Sequence, residues 1–156
     1  MSEPEYSLKI YSSPIAFPLT LFSHAYFVTE YEGKTNRYEV LMLFKDPGKN
    51  RYDGNICKNT FAPKQGFSII GVFPPYSLGP RYRVSLRGET HGKNESAAQR
   101  LYDFIEGGGL HRYPYKNRYN ILLGPNSNTF TQWVIDQVPE CGLKLPWNAW
   151  GKGYKK

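Results

Sequence analysis

The chain has 156 residues, 40% of them hydrophobic and 16% aromatic, and its 20 Lys and Arg against 13 Asp and Glu give a formal net charge of +7. This length predicts a single domain over residues 1–156 that can fold without a disulfide or a structural metal. The only cysteines are Cys57 and Cys141, and no Cys-x-x-Cys pair is present. The sequence therefore excludes a disulfide framework and a cysteine-based zinc site.

The sequence shows no targeting or membrane-spanning segment. The N-terminus is acidic and lacks the basic and apolar regions of a signal peptide, and no uncharged apolar run approaches the length of a membrane span. We therefore expect a cytoplasmic protein without a transmembrane segment, while export by a non-classical route stays open. The motifs indicate no cofactor and no metal, and they leave the oligomeric state open.

Runs of β-branched and aromatic residues predict strands in the first half of the chain. The first hairpin joins two strongly apolar strands through the turn residues 32–36. Weaker strands follow, separated by loops rich in Gly, Pro, Asn and Asp. The predicted strands cover residues 6–12, 19–31, 37–44, 56–61, 67–73 and 81–87.

In the second half of the chain the apolar period changes to that of a helix. Asn94 is the predicted cap of the first helix, the glycines at 107–109 are its stop, and Glu106 is assigned to its solvated side. A second helix begins near residue 127 and ends before Pro139. A sheet followed by helices predicts an α+β domain, in which an antiparallel sheet is packed by two main helices.

The densest positive charge lies at residues 111–118 and in the terminal lysines. An excess of positive charge favours anionic partners such as nucleic acid or anionic lipid headgroups. Residues 111–118 alternate cations with aromatic rings, as nucleic-acid binders do. No recognised nucleic-acid motif accompanies them, so a solvated surface loop is the favoured interpretation and nucleic acid the weaker alternative.

A hydroxyl group marks the start of the second helix, at Ser127 in the run Gly124-Pro125-Asn126-Ser127-Asn128. The first amides of a helix are unpaired and carry partial positive charge, so they stabilise an oxyanion or a deprotonated nucleophile. Ser127 is therefore the candidate nucleophile, and Asn126 and Asn128 are candidate oxyanion or substrate-binding residues. Asn and Ser are also preferred N-cap residues, so a capped helix start is the alternative.

A serine nucleophile needs a base, and histidine is the usual one because its pKa lies near neutrality. His24 lies in mid-strand on one face with Tyr26 and is the candidate base, although packing is the commoner role of such a histidine. A hairpin turn centred on residue 34 would put Glu39 opposite Thr29. On that register no carboxylate orients the His24 imidazole.

Other reaction classes lack their motifs. The chain contains no Gly-x-Ser-x-Gly elbow, no phosphate-binding glycine loop and no His-Glu-x-x-His zinc helix. These absences remove the commoner hydrolase, nucleotide and metal assignments.

Four segments together resemble a bacterial family of uncharacterised proteins, which we identify as the domain-of-unknown-function family thirty-seven-fifty. The most specific of them is Pro-Asn-Ser-Asn-Thr-Phe at residues 125–130, and the resemblance runs from about Lys9 to Tyr154. The other segments are residues 24–28, 82–88 and 145–154. The resemblance implies a fold and a set of residues but no reaction.

More distantly, a strand histidine followed by this helix start is similar to the permuted papain-like proteins, which include NlpC-type peptidases and lecithin retinol acyltransferase-like enzymes. In those proteins a cysteine at the helix start is the nucleophile and the strand histidine is its base. The resemblance implies a permuted papain-like fold with Ser127 in the cysteine position and His24 as the base. A serine depends entirely on its base, because it is far less ionised than a thiol near neutral pH.

The expected function is hydrolysis or acyl transfer at an amide or ester bond, with a cell-wall peptide or an acyl lipid as the substrate by analogy. The alternative is a catalytically lapsed papain-like module that binds a glycan, a peptide or an anionic partner. Asn126, Asn128, Trp147 and Lys152 are the candidate binding residues for either function. Closing the core is the other role open to Trp147.

Overall fold

The structure of the chain is a computed structural model that describes residues 5–14, 23–41, 51–65 and 84–155. Within these residues, strands form one antiparallel sheet and two α-helices follow it in sequence, which confirms the α+β prediction. The elements are β1 (Tyr6–Pro14), β2 (Ser23–Tyr31), β3 (Lys34–Val40), β4 (Arg51–Asp53), β5 (Ile56–Lys58), β6 (Ser85–Gly92), α1 (Ala97–Glu106) and α2 (Ser127–Ile135).

The six strands of the described sheet are arranged in the order β4-β5-β3-β2-β1-β6. The long strands β1 and β2 pair along almost their whole length, with Ile10 opposite Phe27. β3 pairs with the second half of β2, and a β-bulge in the β1–β6 pairing follows Ile10. The histidine of β2 is therefore carried by a central strand.

One face of the sheet packs against both helices through apolar side chains. Alternation along β1 and β2 places every second residue on this face, as period-two geometry requires. The buried residues of this core include Leu8, Ile10, Ala25, Phe27, Tyr38, Val40 and Ile56 from the sheet and Ala98, Leu101, Ile105, Phe130 and Val134 from the helices.

The opposite face buries a different set of residues. Tyr11, Tyr26 and Val28 form a small apolar cluster there. His24 has the same parity as Tyr26, so it lies on this face too. The two faces thus differ in composition as well as in what covers them.

The helix α1 is amphipathic and buries Ala98, Leu101 and Ile105. Its N-cap is Ser96, whose hydroxyl oxygen accepts a hydrogen bond from the Gln99 amide, so the predicted cap at Asn94 was wrong by two residues. The first two residues before a helix often both carry polar side chains, and only backbone geometry decides which one caps it.

Several predicted strands differ from the observed ones. β6 runs on to Gly92, while β5 ends at Lys58, and the three-residue strand β4 is too short to show a period. The predicted strand at 67–73 lies outside the described residues, as do residues 19–22, 42–44 and 81–83 of other predicted strands.

Candidate functional site

A buried pair of hydrogen-bonded side chains joins β2 to β3 on the face opposite the helices. His24 Nε2 lies 2.7 Å from Glu39 Oε2, and each side chain is only 1% exposed. A carboxylate at this distance fixes the orientation of an imidazole and selects which ring nitrogen carries the proton. The sequence-based expectation that no carboxylate orients His24 was therefore wrong.

The error came from the register of the hairpin. The turn consists of Glu32 and Gly33 only, so Phe27 faces Tyr38 and the register differs by three residues from the one predicted. An odd shift moves a strand's side chains to the other face. Glu39 consequently leaves the face of Thr29 and becomes a diagonal neighbour of His24, within reach of its side chain.

Arg37 holds the carboxylate of Glu39 from the other side. Its Nε lies 2.8 Å from Glu39 Oε1, and its Nη2 donates to Glu39 Oε2 at 2.9 Å. The guanidinium is fully buried, lies 3.5 Å from the centre of the Tyr26 ring, and donates to the carbonyl oxygens of Ala62 and Gln65. The Nη2–Oε2 hydrogen bond and the close Nε–Oε1 ion pair together leave the Glu39 carboxylate little rotational freedom.

Burial and charge set the protonation states of this trio. Burial lowers the pKa of His24 below its usual range, although the Glu39 hydrogen bond opposes this shift. Burial alone would raise the pKa of Glu39, but the His24 hydrogen bond and the Arg37 guanidinium together hold it below its usual range. At neutral pH the site thus contains a neutral imidazole beside an ionised carboxylate, which suits a general base.

The start of α2 lies against β2 at the position of His24. Asn128 binds both residues that flank His24: its Oδ1 accepts from the Ala25 amide at 3.1 Å, and its Nδ2 donates to the Ser23 carbonyl at 2.8 Å. Thr131 donates to the Ala25 carbonyl at 3.4 Å. These backbone groups would otherwise bind a neighbouring strand, but the described pairing of β3 with β2 ends at Phe27. Asn128, the residue after Ser127, is therefore fixed to the backbone on both sides of His24.

Asn126 is the N-cap of α2. Its side-chain oxygen accepts from the amides of Asn128 and Thr129, and the Thr129 hydroxyl oxygen accepts from the Asn126 amide, which completes a capping box. The Asn126 Nδ2 donates to the carbonyls of Asn120, Ile121 and Trp150 at 3.1–3.3 Å. The capping role weighed for this run thus belongs to Asn126, and it leaves the neighbouring serine hydroxyl out of the cap.

Ser127 is the first residue of α2 and is 3% exposed. Its carbonyl accepts from Thr131 at 2.9 Å, and its hydroxyl lies near enough to the Tyr119 phenol to lower the pKa of that phenol. Burial raises the pKa of Tyr119 above its usual range, so the phenol stays protonated. The charge of Glu39 raises the pKa of the same phenol further.

The other two residues proposed from the sequence lie in the loop that follows α2. Trp147 is 84% exposed at a turn in which the Ala149 amide donates to the Pro146 carbonyl. Lys152 donates to the same carbonyl at 2.9 Å, so its ammonium group braces this turn. Asn128 also donates to the Trp150 carbonyl, which ties the loop to the helix start.

Both cysteines are poor candidates for a nucleophile. Cys57 faces Glu39 across the β3–β5 pairing, and burial raises the pKa of its thiol to about 11. Burial also raises the pKa of Cys141. Within the part of the chain that the structure describes, no group of three His, Cys, Asp or Glu side chains could hold a metal ion, and no helix is long and apolar enough to cross a membrane.

Glu39, Arg37 and Tyr119 were missed as site residues. The signal for the first two was present, because Arg37 and Glu39 alternate within the predicted strand 37–44, whose other residues are apolar or aromatic. Two charged residues on one face of a central strand indicate either an exposed face or a buried pair. Tyr119 carries no comparable signal, since it is one of 13 tyrosines.

A family model described as "Protein of unknown function (DUF3750)" matches residues 5–154. Because the match spans nearly the whole chain, the chain belongs to this family, and the family resemblance found in the sequence is confirmed. Neither the curated proteins nor the solved structures gave a match to the chain.

Proposed function

We propose that this member of the DUF3750 family is a serine-dependent hydrolase or acyltransferase with a permuted papain-like fold. Ser127 is the nucleophile, His24 is the general base, and Glu39 orients His24. The observation that carries the proposal is the buried pair of His24 and Glu39, whose side chains lie 2.7 Å apart. The residues on either side of His24 also bind Asn128, next to Ser127. The substrate is an amide or ester of a peptide, glycan or lipid.

The reaction has two halves. Ser127 Oγ attacks the carbonyl carbon while His24 takes the hydroxyl proton, and His24 then gives this proton to the leaving amine or alcohol. The acyl group is left on Ser127. Water, or a second alcohol or amine, then attacks the acyl-serine with His24 as base, which releases an acid or a transferred acyl group and restores the serine.

Two groups are placed to stabilise the oxyanion. Asn126 Oδ1 accepts hydrogen bonds from the Asn128 and Thr129 amides but not from the Ser127 amide. The Ser127 amide is therefore the first candidate donor to the oxyanion. The protonated Tyr119 phenol is a second donor beside the hydroxyl. Both Nδ2 hydrogens of Asn128 already bind carbonyls, so its role is to position α2 against His24 rather than to bind substrate.

A fluorophosphonate probe tests whether Ser127 is an activated nucleophile, because such probes label only serines with a functioning base. We expect labelling of the folded protein that is abolished in Ser127→Ala and His24→Gln. Ser23→Ala is the matched control, since it removes an equally buried hydroxyl, which donates to the Asn148 carbonyl at 3.4 Å. Labelling that persists in Ser127→Ala would contradict the proposal.

The Ser127→Cys variant gives a second test that needs no substrate. A thiol at the start of α2 beside His24 should ionise well below the ordinary cysteine pKa of about 8.5, as in papain-like sites. We expect rapid alkylation by iodoacetamide at pH 6 to 7 in that variant, and an ordinary pH profile when His24→Gln is added. The native Cys57 and Cys141, both buried, supply the background rate. A thiol pKa at or above the ordinary value would overturn the arrangement.

A binding module is the second candidate function. It is favoured by the low exposure of Ser127 and by the engagement of its hydroxyl with Tyr119. In this case the His24–Glu39–Arg37 trio is a buried structural network and the partner is a glycan, a peptide or an anionic molecule. Folded protein that resists the fluorophosphonate, together with an ordinary thiol in Ser127→Cys, would favour this function over catalysis.

A further inference from the structure

Two loops beside the start of α2 expose large apolar side chains. Leu123 is 71% exposed and Trp147 is 84% exposed, while Leu122 and Trp150 are exposed to 40% and 47%. Single exposed apolar residues are common on proteins, but clusters of them mark interaction sites. The question is therefore whether these residues form one surface.

The two loops are in direct contact. A Cβ atom added to Gly124 would lie 3.3 Å from the Gly151 Cα, so the backbones of the two loops touch. The Asn126 side chain donates to the Ile121 carbonyl in one loop and to the Trp150 carbonyl in the other. Residues 120–125 and 146–151 thus form one surface beside the start of α2, here called the apolar loop surface.

The chain segment that contains the apolar loop surface is rich in cations. Residues 107–156 contain seven Lys and Arg but only two Asp and Glu. Of the two acids, Glu140 is paired with Arg100 at 2.8 Å, and Asp136 accepts a hydrogen bond from Gln132. Lys144 and Lys155 are exposed on either side of the 146–151 loop. An apolar surface with exposed lysines in the flanking chain is complementary to an apolar partner with an anionic rim.

We propose that the apolar loop surface docks onto the surface of an anionic phospholipid bilayer. Trp147 and Leu123 enter the interface between headgroups and acyl chains, and Lys144 and Lys155 contact the phosphates. Tryptophan is well suited to this depth because it has an apolar body and a polar N–H, and each lysine near an anionic leaflet adds to the attraction. An apolar patch with a cationic rim is the pattern of peripheral lipid binding.

Docking in this orientation brings the start of α2 to the ester groups of the lipid. Asn126 holds both loops and immediately precedes Ser127, so the hydroxyl lies directly behind the apolar loop surface. The substrate class is then an acyl ester of a membrane lipid. This assignment of the substrate rests on the proposed function, whereas the docking itself does not.

Vesicle sedimentation tests the docking. We expect the protein to sediment with phosphatidylcholine vesicles that contain phosphatidylglycerol, to sediment poorly with pure phosphatidylcholine vesicles, and to be released by added salt. Trp147→Ala should weaken binding by about tenfold, since an interfacial aromatic ring is lost, while Trp147→Phe should keep most of it. Lys144→Glu combined with Lys155→Glu should weaken binding by at least about fivefold.

The matched control reverses the same number of charges at the opposite end of the sheet. Lys34 in the hairpin and Lys93 after β6 both lie at the end of the strands that is away from Ser23. The double variant Lys34→Glu, Lys93→Glu should bind vesicles as the unmodified protein does. Equal weakening by both charge pairs, or no binding to the anionic vesicles, would overturn the proposal. So would a dimer seen by light scattering that Trp147→Ala dissolves, because the surface would then bind a second copy.

The Ser127→Ala variant separates the two proposals. It should bind vesicles as tightly as the unmodified protein, because the hydroxyl is not part of the apolar loop surface. Vesicle binding without probe labelling would leave the docking standing and remove the catalytic function. Probe labelling without vesicle binding would do the reverse.

Discussion

On the face of the sheet that packs against α1 and α2 most of the buried side chains are apolar, whereas the opposite face buries an arginine, a glutamate and a histidine. The apolar face is stabilised by the surface that it removes from water, and this contribution needs no particular partner for any one residue. The charged face depends on partners, because Arg37, Glu39 and His24 each lose hydration on burial and offset this loss through one another and, for Arg37, through the carbonyls of Ala62 and Gln65.

This difference shows where function can be placed on the sheet. Apolar residues on the helix face can be exchanged for others of similar volume, whereas the trio on the opposite face acts as one unit. A buried ion pair is a weak source of net stability, since desolvation costs about as much as the pairing returns. Its presence in a small domain is therefore better explained by the orientation that it gives to His24 than by stability.

The largest expected effect is that of Glu39→Ala. It leaves a buried guanidinium without its carboxylate, and the free energy of unfolding should fall by about 3–5 kcal/mol. Urea unfolding followed by circular dichroism measures this change. Phe27→Ala on the helix face should lose a similar amount, about 3–5 kcal/mol, through the cavity that it leaves.

Replacement of the whole trio separates the two faces. His24→Leu, Arg37→Met and Glu39→Leu introduced together remove all three charges, so most of the stability lost in Glu39→Ala should return. No such rescue exists for Phe27→Ala except by refilling its cavity. A trio variant as unstable as Glu39→Ala would show that the opposite face depends on its shape and not on its charge balance.

The second-largest effect is expected for Asn128→Ala, which breaks the contact between α2 and β2. The Ala25 amide and the Ser23 carbonyl lose their partner, and each unsatisfied buried group costs about 1–3 kcal/mol, so we expect a loss of about 2–4 kcal/mol. Asn94→Ala, at an exposed turn, is the control and should be nearly neutral. A small effect of Asn128→Ala would mean that α2 is held to the sheet by its apolar face alone.

The apolar face was largely predictable from the sequence, because its signal is local. The spacing of apolar residues along β1, β2, α1 and α2 can be read from consecutive residues. This spacing alone predicts which side of each element is buried. Elements that the sequence did not predict, such as the three-residue strand β4, are too short to show a repeating pattern of apolar residues. The cap of α1 was misplaced because Asn94 and Ser96 are both good caps and lie two residues apart.

The charged face was less predictable, because it depends on a count of turn residues. The Glu39 side chain reaches His24 only if the hairpin turn has two residues. A turn that is one residue longer or shorter sends Glu39 to the helix face. Glu32 adopts a positive φ of 48° in this turn, which residues other than Gly rarely do, so its place in the turn is hard to foresee. The contact of Asn128 with β2 is non-local and has no sequence pattern.

The two faces should also respond differently to pH. Burial lowers the pKa of His24, so between its usual value of about 6.5 and its lower folded value the unfolded state binds more protons than the folded state. Stability is therefore fully present above about pH 6.5 and is lost as the pH falls, by up to about 1.4 kcal/mol per pH unit for one proton.

Urea midpoints measured across that pH range check the dependence. His24→Gln should flatten the curve until the carboxylates titrate, because Glu39, whose pKa is also lowered, loses its contribution only at more acidic pH. Phe27→Ala should shift the whole curve down without changing its slope. An unchanged slope in His24→Gln would assign the loss to other groups.

The smallest effect is expected for Glu106→Gln on the helix face, which carries a polar exception of its own. Glu106 was predicted to be solvated, but its carboxylate accepts hydrogen bonds from Thr29 at 2.6 Å and from Tyr38 at 2.8 Å. Burial alone would raise the pKa of Glu106. These two hydrogen bonds, together with Asn36 and Lys58, instead hold the pKa below its usual range. The variant keeps an acceptor and removes a negative charge from the C-terminal end of α1, where the helix dipole disfavours it. We therefore expect a net loss of only about 1 kcal/mol in urea unfolding, and no measurable loss for Glu140→Gln, whose ion pair with Arg100 is exposed. A loss for Glu106→Gln as large as that for Glu39→Ala would show that the helix face, too, depends on a complete set of charged partners.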